Sequence, residues 1–130
     1  MQNDKHQEGA MRRVLITGAA GTIGLVLRQH LRGQYDLLRL ADIAPQEPAG
    51  PGEEVCHLDI RDPESVRRSM EGIDCVLHFA GVPEEAPWPQ ILALNIDGVY
   101  NVFEAARSQG VKRVIFASSN HAVGFHRRER

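Results

Sequence analysis

The run Val14-Leu15-Ile16-Thr17-Gly18-Ala19-Ala20-Gly21-Thr22-Ile23-Gly24 decides the fold. Its first three residues are an apolar stretch of the kind buried as a strand, and Ile23, Val26, Leu27 and Leu31 then recur at helical spacing. Gly18, Gly21 and Gly24 therefore lie in a turn from a strand into a helix. Glycine at such a turn lets the backbone reverse sharply, lets a phosphate approach the amide N–H groups, and lets the helix pack close to the sheet. A glycine triplet alone is weak evidence. Here a strand precedes it, a helix follows it, and Asp42 closes the next apolar run at close to the expected interval of roughly 20 residues.

Working outward, strand-like and helical segments alternate along the chain. The pattern predicts a strand at Val14–Thr17, a helix at Ile23–Arg32 and a strand at Asp36–Asp42. A loop at Ala44–Gly52, with Pro45, Pro48 and Pro51, leads to a short strand near Val55–Leu58. Asp62-Pro63-Glu64-Ser65 opens a second helix: Asp62 can cap it, Pro63 suits its first turn, and Glu64 favours the positive end of its dipole. Gly72 ends that helix. Then come a strand at Cys75–Phe79, a proline-rich loop at Gly81–Pro89, a long helix from Ile91 to Gln109 closed by Gly110, and a strand at Val114–Ala117.

Alternating elements of this kind specify an α/β fold, a Rossmann-type doubly wound parallel sheet. Right-handed crossovers from a central first strand give the order 3-2-1-4-5 with ligands at the carboxyl ends of the strands, truncated here after strand five. Each expected strand end carries a suggestive residue: Thr17-Gly18, Asp42, Asp59, Ala80-Gly81 and Ser118-Ser119. Residues 1–10 are polar and read as a disordered tail, leaving 11–130 as one incomplete dinucleotide-binding domain.

Composition narrows the classes further. A net charge of −2 gives no reason to expect nucleic acid as a partner, and no apolar run suggests a membrane span or a secretory leader. Cys56 and Cys75 sit in strand-like runs and do not suggest a disulfide scaffold. The expectation is a soluble cytoplasmic protein.

A carboxylate at Asp42 would accept hydrogen bonds from the 2′- and 3′-hydroxyls of an adenosine ribose and repel a 2′-phosphate. The next residue is Ile43 rather than an arginine, so NAD is favoured over NADP. The competing reading of Asp42 is a plain loop or capping acid.

The Gly-x-x-Gly-x-x-Gly spacing, Asp59-Ile60, Phe79-Ala80-Gly81 and Ser118-Ser119 together resemble the extended short-chain dehydrogenase/reductases, the NAD-dependent epimerase/dehydratase type. The resemblance implies cofactor contacts at Gly18, Gly21, Thr22, Ile23, Gly24, Asp42, Ile43, Asp59, Ile60, Phe79, Ala80, Gly81, Asn95, Ala117 and Ser118. Asp59-Ile60 would lie beside the adenine, and the Ala-Gly stretch along the riboses. Asn95 matches an asparagine of the family's fourth helix, and from the residues alone it reads equally as an ordinary polar helix residue.

Within the family, Ser118-Ser119-Asn120-His121 resembles the uronate dehydrogenases, which oxidise C1 of a hexuronic acid with NAD. That implies Ser119 as a catalytic residue bonding the reacting hydroxyl, and Asn120 and His121 as substrate contacts. Leu38–Asp42, the Pro-Ala-Gly-Pro loop at 48–51 and Asn101–Arg107 look like the same group. Pro83 departs from it, because that group tends to carry a hydroxyl residue there. On the residues alone, Ser-Asn-His is either a set of donors with one titratable group or a polar turn after a strand.

Two other chemistries are weaker readings. Cys56-His57 and Cys75-x-x-His78 superficially resemble metal-ligand pairs, but residues three apart on a strand face opposite sides. Glu84-Glu85 precede a proline-rich stretch and read as solvated acids. The family's base is a tyrosine with a lysine four residues later. The only tyrosines here are Tyr35 and Tyr100, followed four residues on by Arg39 and Glu104. The expectation is a chain that alone binds NAD weakly and lacks useful dehydrogenase activity, with the strand-five edge open to self-association. A non-catalytic NAD-binding module is the alternative, and a piece of a sugar-nucleotide epimerase or dehydratase is disfavoured by Ser-Ser-Asn-His.

Overall fold

The computed structural model describes residues 11–122 and Gly124; the tail expected at 1–10, together with 123 and 125–130 of the expected domain, lies outside the described residues. Five strands, β1 (Arg13–Thr17), β2 (Leu37–Asp42), β3 (Glu53–His57), β4 (Cys75–His78) and β5 (Arg113–Phe116), form one sheet in the order β3-β2-β1-β4-β5. Every pairing is parallel. The helices are α1 (Thr22–Leu31), α2 (Pro63–Ser69), α3 (Trp88–Ile91) and α4 (Gly98–Ser108).

Alternation along the strands divides the core into two layers. Val14, Ile16, Leu38, Leu40 and Cys75 pack on one face with Leu27 and Leu31 of α1. Leu15, Ala41 and Val76 pack on the other with Val66 of α2 and Val102, Ala105 and Ala106 of α4. Val76 and Cys75 fall in different layers, so Cys75 and His78 do face opposite sides. Among the described residues no three ligand-type side chains cluster as a metal site, and no helix is long and apolar enough to cross a membrane.

Two element boundaries differ instructively from the sequence expectation. The third strand begins at Glu53 rather than near Val55, because the Glu53 side chain is buried against Arg28 of α1. The long helix begins at Trp88 rather than Ile91, and its Leu92–Asp97 segment is π-helical, which periodicity does not reveal. Asp62 caps α2 as expected, accepting from the amides of Glu64 and Ser65 at 3.1 and 3.3 Å. The registers align the ends that matter: Thr17 lies opposite both Ala41 and His78, Asp42 opposite His57, and His78 opposite Phe116.

Candidate functional site

A cleft of about 790 Å³ runs along this carboxyl edge. Every cofactor-side residue expected from the sequence lines it, and so does Ser119, but Asn120 and His121 do not. Asn120–Ala122 form a single 3₁₀ turn, exposed, and the Ser119 hydroxyl accepts from the His121 amide at 3.1 Å. The Asn120 and His121 side chains therefore stand exposed at the rim, beside the cleft rather than in it.

The glycine turn is sterically required. Gly18 has φ +71°, and a Cβ on it would lie 2.7 Å from the Ala80 nitrogen and the Phe79 carbonyl carbon. A Cβ on Gly24 would lie 2.5 Å from the Gly18 oxygen. No side chain caps the N-terminus of α1, and no acid stands in its first turn. Its first amides are therefore left for an anion, which the positive end of the helix dipole favours.

Asp42 is held from both sides. Its Oδ2 accepts from the Ala20 amide at 2.9 Å and its Oδ1 from the Ala44 amide at 2.8 Å. The carboxylate is thereby fixed beside the glycine turn with lone pairs to spare. Asp59 is engaged differently: Arg61 Nε and Nη2 donate to it, at 2.9 Å to Oδ1 and 2.6 Å to Oδ2, and this pairing holds its carboxyl below the usual range. Ile60 is set from behind, with the Asn101 amide donating to its carbonyl at 2.9 Å and Gly98 leaving room for its side chain.

Asn95 sits in the π-helical segment and uses both ends of its amide on one residue. Its Oδ1 accepts from the Val82 nitrogen at 2.8 Å and its Nδ2 donates to the Val82 carbonyl at 2.9 Å. It lines the cleft while fixing the loop that leaves β4.

Sequence reasoning weighed His78 only as a metal ligand. The register places it between Thr17 and Phe116 on one face of the sheet, where it is fully buried, stacks on Phe116 at 5.8 Å, and lines the cleft. Thr17 Oγ1 accepts from the Phe79 and Ala80 amides at 3.2 and 3.3 Å and lies 2.6 Å from His78 Nδ1. With its lone pairs so used, the hydroxyl donates to Nδ1, which puts the imidazole proton on Nε2. Nε2 has no partner among the described residues, and burial pushes the His78 pKa down to about 4. The ring is a neutral donor. Its signal in the sequence was only the threonine that register would bring opposite it.

Residues 14–129 match the NAD dependent epimerase/dehydratase family. The chain belongs to this family. Among its family relatives, the uronate dehydrogenase of Pseudomonas putida is 52% identical over 118 residues, covering 90% of this chain and 44% of that protein. A variant of the uronate dehydrogenase of Agrobacterium tumefaciens, solved with NAD, superposes with a TM-score of 0.82 at 48% identity, covering 86% of this chain and 42% of that one. The glucuronic acid dehydrogenase of Chromohalobacter salexigens superposes with a TM-score of 0.85 at 41% identity, covering 90% and 44%. The chain therefore spans less than half the length of these family members.

Proposed function

We propose that this chain is the NAD-holding part of a uronate-dehydrogenase-like oxidoreductase acting at C1 of a sugar acid, in the cytoplasm. The observation that carries the reading is the Asp42 carboxylate, fixed by two backbone amides beside an uncapped helix N-terminus and a turn where neither Gly18 nor Gly24 has room for a Cβ. The donor set fits the cofactor. The amides at the start of α1 suit the pyrophosphate, Asp42 suits the adenosine ribose, Asp59 and Ile60 suit the adenine, and Ala80-Gly81 lie along the same edge.

NAD, when bound, supplies a hydride acceptor. This chain's residues would bind and orient it: Asn95 holds the loop after β4, and Ser118 and Ser119 border the cleft next to β5. A sugar acid would meet Ser119, with Asn120 and His121 at the rim. Accepting the hydroxyl proton calls for a paired tyrosine and lysine that the 130 residues do not contain.

Titration calorimetry with the purified chain tests the reading. Saturable NAD binding is expected, with no reduction of NAD in the presence of glucuronate or galacturonate. Replacing Asp42→Asn should weaken NAD by about tenfold or more and narrow its advantage over NADP, since a hydrogen bond to a charged group contributes about 1.5–3 kcal/mol. Equal binding of NAD by wild type and D42N would overturn the assignment of Asp42 to the ribose.

A further inference from the structure

Outside the cleft, one buried polar cluster stands apart from the packing of the sheet. Arg28, on the last turn of α1, and Glu53, the first residue of β3, are both buried. Arg28 Nε donates to Glu53 Oε2 at 2.9 Å and Nη2 donates to Oε1 at 3.1 Å. The same guanidinium reaches two backbone carbonyls, Nη1 that of Glu47 at 3.2 Å and Nη2 that of Pro48 at 2.8 Å. Glu53 Oε1 also accepts from the Gly50 amide at 2.9 Å, and Arg32 approaches Oε2 at 3.6 Å. One ion pair is thus tied to three positions of the loop between β2 and β3.

That loop starts at Asp42. Its first part is pinned by the Ala44 amide on Asp42 and by Gln46 Nε2 donating to the Leu40 carbonyl at 3.1 Å, and its Ile43 lines the cleft beside the carboxylate. A buried pair retained for stability alone is replaceable by apolar residues. A planar guanidinium divided between a carboxylate and two carbonyls instead fixes the path of a backbone.

We propose that the Arg28–Glu53 clamp is a specificity-determining element: by holding the 43–50 loop against α1, it keeps Asp42 and Ile43 where a 2′-phosphate cannot be accommodated. The proposal rests on the NAD reading of the cleft. Accepting the extra phosphate requires the Asp42 carboxylate to swing away and the loop to open around added volume and charge. The clamp opposes both. It touches no cofactor atom, so Arg28 and Glu53 are positioning residues.

The test compares NAD and NADP dissociation constants for the wild-type chain, the double variant Arg28→Met/Glu53→Leu, and Arg28→Lys. The double variant keeps an apolar contact in place of the pair. The lysine variant keeps the charge on Glu53 but cannot reach both carbonyls. Expected in both is a preference for NAD over NADP reduced about fivefold, equivalent to about one net hydrogen bond of positioning. A purely structural role would move the melting temperature and leave the ratio alone. An unchanged ratio in either variant that retains the wild-type circular dichroism overturns the proposal, and R28K carries the test if the double variant does not fold. Wild-type chain that binds neither nucleotide overturns the cleft reading itself, whereas binding with an unmoved ratio overturns only the clamp.

Discussion

The sheet has two edge strands, and they are built differently. On β3, Glu53 is neutralised by buried Arg28, and exposed Glu54 pairs with Arg39 at 2.8 Å. Arg39 in turn donates to the carbonyls of Ser69 and Glu71 at the end of α2. Charge placed along an edge discourages further pairing. On β5, Ile115 and Phe116 are exposed, and so are Tyr100 and Phe103 on α4, with Phe103 and Phe116 edge to face at 6.1 Å. The β3 edge is finished by this chain's own residues, while the β5 edge presents apolar surface of the kind that folded proteins cover. The cleft lies between them, and the half proposed for the adenosine is on the finished side.

The largest effect expected on that contrast separates two glycines. Gly18 and Gly110 share a positive φ, +71° and +72°, but a Cβ at Gly18 strikes the backbone of Phe79 and Ala80, whereas nothing lies within 4 Å of one at Gly110. Left-handed backbone costs a non-glycine residue about 1–2 kcal/mol, and overpacking adds about 1–3 kcal/mol. Gly18→Ala should therefore lose about 3 kcal/mol or more in urea unfolding together with nucleotide binding, and Gly110→Ala only about 1 kcal/mol with binding intact. Equal losses would show that the cradle is no tighter than a helix end.

His78 tests the boundary between the two halves through pH. Its folded pKa of about 4 lies below the 6.5 of an ordinary histidine, so the unfolded chain binds the proton first as pH falls. Stability is then fully present above about pH 6.5 and is lost toward pH 4, by roughly 3 kcal/mol at 1.36 kcal/mol per unit. The carboxyls held low by arginine partners, Glu53 by Arg28 and Asp59 by Arg61, lose their contributions in a more acid range. Chemical denaturation at intervals from pH 7.5 to 4.5 should show the histidine limb, and His78→Asn should flatten it. A wild-type profile flat to pH 5 would mean that Nε2 meets water rather than a dry wall.

What was legible in the sequence follows the same division. The glycine turn, Asp42 and Asp59 could be read because a strand, a turn and a fixed interval are local signals, and their convergence on one edge follows from topology. The Arg28–Glu53 pair was not legible, since charged residues 25 apart look like solvated surface until α1 is laid against β3. Nor could helical periodicity show that Asn95 would close on Val82 from a π-helical turn. The Thr17–His78 bond needed the register. Sequence pattern shows where a ligand can sit, whereas long-range polar pairs emerge only once the elements are packed together.

The smallest expected effect bears most directly on the β5 edge. Ile115 is about half exposed at 48%, and Phe116 is exposed at 42%, so a charge on Ile115 desolvates little in the isolated chain. Ile115→Lys should change unfolding stability by no more than about 0.5 kcal/mol, as for most exposed positions. We propose that the exposed β5 edge pairs with a second copy; the lysine should then reduce self-association in sedimentation velocity, because a charge on an edge strand opposes such pairing. Cys75→Lys, aimed at the buried layer on the neighbouring strand, should unfold the protein instead. If I115K were as destabilising as a core substitution, β5 would already be packed against something within this chain. If it left association untouched while dye binding to the apolar face persisted, the self-contact would run through α4 at Tyr100 and Phe103 rather than along the strand.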